Sequence, residues 1–132
     1  MGAIVTTQAN FMINLSLVNT PATAASTGIK MKLGTTVGTG SAAMTELSGT
    51  GYTTGGTACA FGAASAGSAS NTGTPSWTNG SGSSWSIAGI ELWDQAGTPL
   101  RWWYGAWTGQ PITVANGNTF AVAAAAVTCS LS

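Results

Sequence analysis

The stretch WSIAGIELWDQAGTPLRWWYGAW, residues 85–107, decides the fold. Residues 85–94 alternate with apolar side chains on both faces. Trp85, Ile87 and Trp93 fall on one face, and Ala88, Ile90 and Leu92 on the other. A strand that is apolar on both sides is a central strand covered on both sides. Gln95-Ala96-Gly97-Thr98 reads as a turn, in which Gly97 can take positive φ. Residues 100–107 then supply the paired strand.

Outward from this hairpin the texture stays that of strands and turns. Residues 111–114 form a short strand pattern, Ala115-Asn116-Gly117-Asn118 a turn, and 119–123 and 126–131 two closing strands. Upstream, Ile29, Met31 and Leu33 alternate with Lys30 and Lys32, which predicts a strand with the lysines facing water. Residues 34–56 read as a long loop pinned by Val37, Met44, Leu47 and Tyr52. Residues 57–61 suit a short strand, 63–76 an edge strand or extended surface loop, and 79–84 a turn. Residues 3–20 fit a helix through Phe11, Leu15 and Val18, with Thr6 or Thr7 as N-cap, or an alternating strand; the helix is preferred. Residues 21–28 read as a linker. The pattern predicts an all-β chain: one β-sandwich domain over 29–132, jelly-roll or Ig-like, behind a short N-terminal helix or arm over 1–28. Its core should come mainly from the second half.

Composition narrows the function. More than half of the 132 residues are Ala, Gly, Thr or Ser. Three basic and three acidic residues give a net charge of zero, and histidine is absent. A basic excess for phosphate contacts is missing, so a nucleic-acid partner is not expected. No apolar run reaches a membrane span, and no basic region precedes an apolar stretch as in a secretory leader. Without histidine and with three acids, acid–base, metal and triad chemistry lack residues, so no enzyme activity, metal or cofactor is expected. At the size of this chain, six charges amount to roughly one per 1,000 Å² of folded surface. Free monomers usually carry a denser charge coat, which points to life inside a larger assembly.

The candidate functional residues are aromatic. Trp77, Trp85, Trp93, Trp102, Trp103, Tyr104 and Trp107 lie within 77–107. Each buried ring is worth up to about 4–6 kcal/mol, so they suit a core in so small a domain. They equally suit a binding face. Strict alternation would turn Trp102 and Trp103 to opposite faces, so at least one aromatic of 102–104 should face a partner, a sugar or a neighbouring subunit. Trp102, Trp103, Tyr104 and Trp107 are therefore the expected partner or oligomer contacts. Glu91, Asp94 and Arg101 flank the turn and are expected as a structural ion pair, with Arg101 on either acid. The glycine-rich 34–42 lacks a lysine after its glycines and is no phosphate loop. Cys59 and Cys129 have no metal spacing; buried thiols are the default, with a disulfide open.

Several short motifs carry a likeness. Glu46-Leu47-Ser48-Gly49 with Tyr52, then Ile90, Leu92 and Asp94, then Tyr104-Gly105-Ala106, then Val114, Gly117, Thr119 and Leu131 follow in one order. Over residues 29–132 this order resembles that of small β-rich virion proteins of tailed bacteriophages, which include head-decoration and tail-fibre-like members. The chain departs from them in its few charges, in the tryptophans at 102, 103 and 107, and in Asn118 where an acid is common. The resemblance implies a non-enzymatic structural protein of the virion, made in the host cytoplasm. The leading expectation is a capsid decoration, or cement, protein on the outer surface of the major capsid protein, as a trimer or other small homo-oligomer. The alternative is a tail or fibre component that stacks host glycans on exposed tryptophans.

Overall fold

The computed structural model describes residues 3–13, 17 and 28–131. The elements run β1 (Ala3–Ile4), α1 (Thr6–Ile13), β2 (Ile29–Gly34), β3 (Thr57–Ala58), β4 (Ser68–Ser70), β5 (Ser76–Thr78), β6 (Trp85–Ile87), β7 (Gly89–Asp94), β8 (Arg101–Ala106), β9 (Ile112–Val114), β10 (Thr119–Ala121) and β11 (Thr128–Ser130). The chain is an all-β single domain. A five-stranded antiparallel sheet in the order β1-β8-β7-β2-β3 forms one layer. Three two-stranded ribbons, β5–β10, β4–β11 and β6–β9, form the other.

Residues 3–9 are not a separate arm. Ala3 and Ile4 pair with Tyr104 and Trp103, so β1 is the edge strand of the main sheet. The helix starts at Thr6, and the carbonyl of Val5 accepts from the amides of Gln8 and Ala9. The cap therefore falls on Val5, not on Thr6 or Thr7. Leu15, Val18 and the linker reading of 21–27 lie outside the described residues.

The core sits between the layers. Met31, Leu33, Ile90 and Leu92 from the sheet meet Trp77, Trp85, Ile87, Val114, Val122 and Cys129 from the ribbon layer. Leu47, Tyr52, Cys59 and Val127 complete it. The larger share of this core comes from the second half, as its aromatic and aliphatic content predicts.

Residues 85–94 are two strands rather than one. The chain leaves the ribbon layer after Ile87 and enters the main sheet at Gly89. At the corner, Ala88 donates its N–H to the carbonyl of Gly34 at 2.8 Å and accepts from the amide of Trp107 at 3.0 Å. Even–odd alternation would put Ile87 and Ile90 on opposite sides. Two facing sheets view their common core from opposite directions, so a chain crossing between them must switch parity. Trp85 and Ile87 on one side of Ala88 and Ile90 and Leu92 on the other thus reach the same core.

An isolated two-stranded ribbon is marginal in water, and buried asparagines tie these three down. Asn79 is fully buried. Its Nδ2 donates to the carbonyls of Ser83 and Val114, each at 2.8 Å, and its Oδ1 accepts from the amide and hydroxyl of Ser81. Asn71, equally buried, donates to the carbonyls of Gly73 and Ala123 and accepts from the amide of Val127. Each side chain satisfies groups from segments far apart in sequence. A row of rings, Tyr52–Trp77–Phe120–Trp107, adds packing with centroid separations of 6.4, 6.2 and 5.4 Å.

Asn79→Ala should take their side-chain partner from the Val114 carbonyl and the Ser81 amide, and lower the unfolding free energy by about 2–3 kcal/mol. Asn118→Ala, whose side chain is exposed, should change it by less than about 0.5 kcal/mol. Equilibrium urea unfolding of both variants checks the contrast.

Candidate functional site

The two faces of β7 serve different purposes. Ile90 and Leu92 face the core, while Glu91 and Trp93 fall on the other face of the strand. Loop 35–45 packs on this face. Gly38 and Gly89 make the approach possible: a Cβ on Gly38 would overlap the Glu91 carboxylate, and one on Gly89 would overlap the carbonyl of Thr36.

Glu91 is 1 % exposed. Its Oε1 accepts from the amide of Met44 and from Nη1 of Arg101, both at 2.8 Å, and its Oε2 accepts from Nε1 of Trp93 at 2.9 Å. Arg101 also donates to the carbonyls of Ala42 at 2.6 Å and Gly40 at 3.3 Å. The pair therefore fastens the loop to the sheet. Asp94 does a different job. Its carboxylate accepts from the amides of Ala96 and Leu100, closing the turn, and from Nε1 of Trp102 at 3.1 Å. The expected ion pair of Arg101 thus forms on Glu91. A second pair, Lys32 on Glu46 at 3.5 Å, lies beside it, with the Lys32 ammonium 4.1 Å from the Trp93 ring centroid. Glu46 also accepts from the Tyr52 hydroxyl and the Gly55 amide.

The hairpin register slips after Leu92. Leu92 stands opposite Trp103, but Trp93 stands opposite Arg101, so Trp102 is the extra residue of a β-bulge. A bulge suspends alternation, and this overturns the expectation that the two indoles face opposite ways. Trp102 and Trp103 line the same cleft, together with Ile29 and Leu92. The far wall is the β4–β11 ribbon and its approaches: Phe61, Ala64, Ala69, Cys129 and Leu131. The cleft holds about 240 Å³ and is almost wholly apolar. Leu131 at its rim is 46 % exposed.

The four expected contact residues therefore separate. Trp102 and Trp103 share the cleft. Tyr104 stands opposite Glu91, on the other face, with the Arg101 guanidinium 5.7 Å from its ring. Trp107 packs edge-on against Phe120 and belongs to the row of core rings. The cleft's far wall went unread in the sequence. Its signal was the run of small residues at 63–69, which leave open the space beside the tryptophans.

Both cysteines are buried free thiols. Burial raises both, and pushes Cys129 up to about 11. Among the described residues no group of three or more His, Cys, Asp or Glu gathers to hold a metal, and no helix is long and apolar enough to cross a membrane. No family model matches the sequence, and no curated protein matches it.

Arg101→Ala should strand the buried Glu91 carboxylate and cost about 3–5 kcal/mol of stability. The double variant Glu91→Gln/Arg101→Met removes both charges and should recover part of that loss, measured by thermal or denaturant unfolding. The raised Cys129 pKa sets a pH dependence. The folded state favours the neutral thiol, so the stability it contributes is complete below about pH 9 and lost as pH rises through about 11. Unfolding free energy should fall over that interval, and fall less steeply in Cys129→Ala.

Proposed function

We propose that this chain is a non-enzymatic structural protein of a tailed-phage virion, a head decoration protein. It would bind the outer surface of the major capsid protein as a small homo-oligomer, a trimer by preference. The observation that carries this reading is the exterior. Not one of the six charged side chains is exposed: Glu91 and Asp94 are buried, and Lys30, Lys32, Glu46 and Arg101 are partly buried. Four of the six neutralise one another in pairs. A surface with so few free charges suits permanent contact with other subunits better than free solution.

The aromatic cleft supports the same reading. An apolar pocket flanked by two tryptophans accepts an apolar anchor from a partner, the kind of contact that dominates protein interfaces. The virion setting rests on the resemblance of the loop at 46–52, the β7–β8 hairpin and the C-terminal strands. Decoration would then act passively, adding buried apolar area between capsid subunits. The competing tail or fibre reading would stack a glycan on Trp102 or Trp103. A sugar's hydroxyls need hydrogen-bond partners, and the cleft offers almost none.

The copy number per purified virion, by quantitative mass spectrometry against the major capsid protein, tests the placement. A near-stoichiometric ratio is the expected result. A handful of copies would favour the tail reading, and absence from the virion would refute both. Leu131→Asp places a charge at the cleft rim without touching the core, and should weaken capsid binding roughly tenfold or more.

A further inference from the structure

Two Asn–Gly pairs occur in the sequence, Asn79–Gly80 and Asn116–Gly117. Asn–Gly is the dipeptide most open to succinimide formation, because glycine has no side chain to block the ring closure. In both pairs the glycine amide and the asparagine side chain are hydrogen-bonded, and the pairs differ in burial. Asn79 is fully buried with both side-chain atoms bonded, and the Gly80 amide donates to the carbonyl of Thr50 at 2.9 Å. Asn116 lies in the turn 115–118, where all four residues are exposed.

The pairs are also joined. The amide of Gly117 donates to the carbonyl of Asn79 at 2.6 Å, and the amide of Asn79 donates to the carbonyl of Asn118 at 2.9 Å. Oδ1 of Asn116 accepts from the amide of Gly82, in the loop that follows Asn79. The turn at 115–118 is therefore the outer clasp on the buried asparagine.

We propose that Asn116 is a deamidation site of the folded protein, and that its conversion exposes Asn79 to the same reaction. The Gly117 amide nitrogen attacks Cγ of Asn116, an N–C bond forms, and ammonia leaves. Water then opens the five-membered imide at either carbonyl and yields aspartate or isoaspartate. The net change is one water in and one ammonia out, with no redox partner. Reaction needs only local opening of an exposed turn. Isoaspartate lengthens the backbone by one methylene and shifts Gly117 away from the carbonyl of Asn79. It also places a negative charge on an exterior that has no other exposed charged side chain.

The test is incubation of the purified, folded protein at mildly alkaline pH, with peptide mapping for aspartate and isoaspartate at both positions over time. Conversion should begin at 116 and reach 79 only later. Asn116→Gln, which closes the ring far more slowly, should keep its melting temperature and protect Asn79 as well. The proposal fails if 79 converts as early as 116, or if 79 converts at the unmodified rate in Asn116→Gln. It fails too if 116 stays intact while the urea-denatured chain converts at both positions.

Discussion

One buried carboxylate holds the outer half of the molecule together. β7 is a central strand whose second face meets loop 35–45, and Glu91 stands in the middle of that face. A carboxylate taken out of water costs several kcal/mol unless donors surround it. Glu91 has three: the Met44 amide, the Trp93 indole and the Arg101 guanidinium. Each comes from a different place, so satisfying one charge fixes the loop, the strand and its neighbour together. Loop 35–45 is rich in residues too small to pack, and it lies flat because Arg101 and Glu91 take up its polar groups.

The inner half depends on geometry. The chain passes from the ribbon layer to the main sheet at Ala88, and the parity switch there lets one apolar run feed both walls of the core. Ribbons of two short strands then need help that hydrophobic burial alone does not give. Asn71 and Asn79 provide it, because a side-chain amide has donors and an acceptor and can satisfy several strands at once. The same arrangement makes the 115–118 turn more than a connection, since it closes over Asn79.

The cleft is a by-product of the bulge at Trp102. One extra residue in β8 brings two indoles to one side, and Asp94 steadies the first through its Nε1. The ribbon opposite is built of alanine, glycine and serine, so the space between is left open. With five of the six charges paired or buried and Lys30 partly buried, the exterior carries little free charge, and that scarcity joins the cleft to the proposed role in an assembly.

Much of the fold was legible in the residues. The β7–β8 hairpin, the lysine–apolar alternation of β2 and the turn-separated strands after 111 follow from local periodicity, which needs no tertiary information. So did the pinned loop: of its four expected anchors Met44, Leu47 and Tyr52 are buried and Val37 is partly buried. The pairing of Arg101 with one of two acids was readable, but the choice of Glu91 was not, because it depends on which face a loop far away in sequence covers. The sequence by itself determined the strand content, the small apolar core and the scarcity of charge. Only the tertiary structure decided the layer switch at Ala88, the bulge that sets Trp102 beside Trp103, and the burial of Asn71 and Asn79. Those three arise from contacts between segments tens of residues apart, and local alternation carries no record of them.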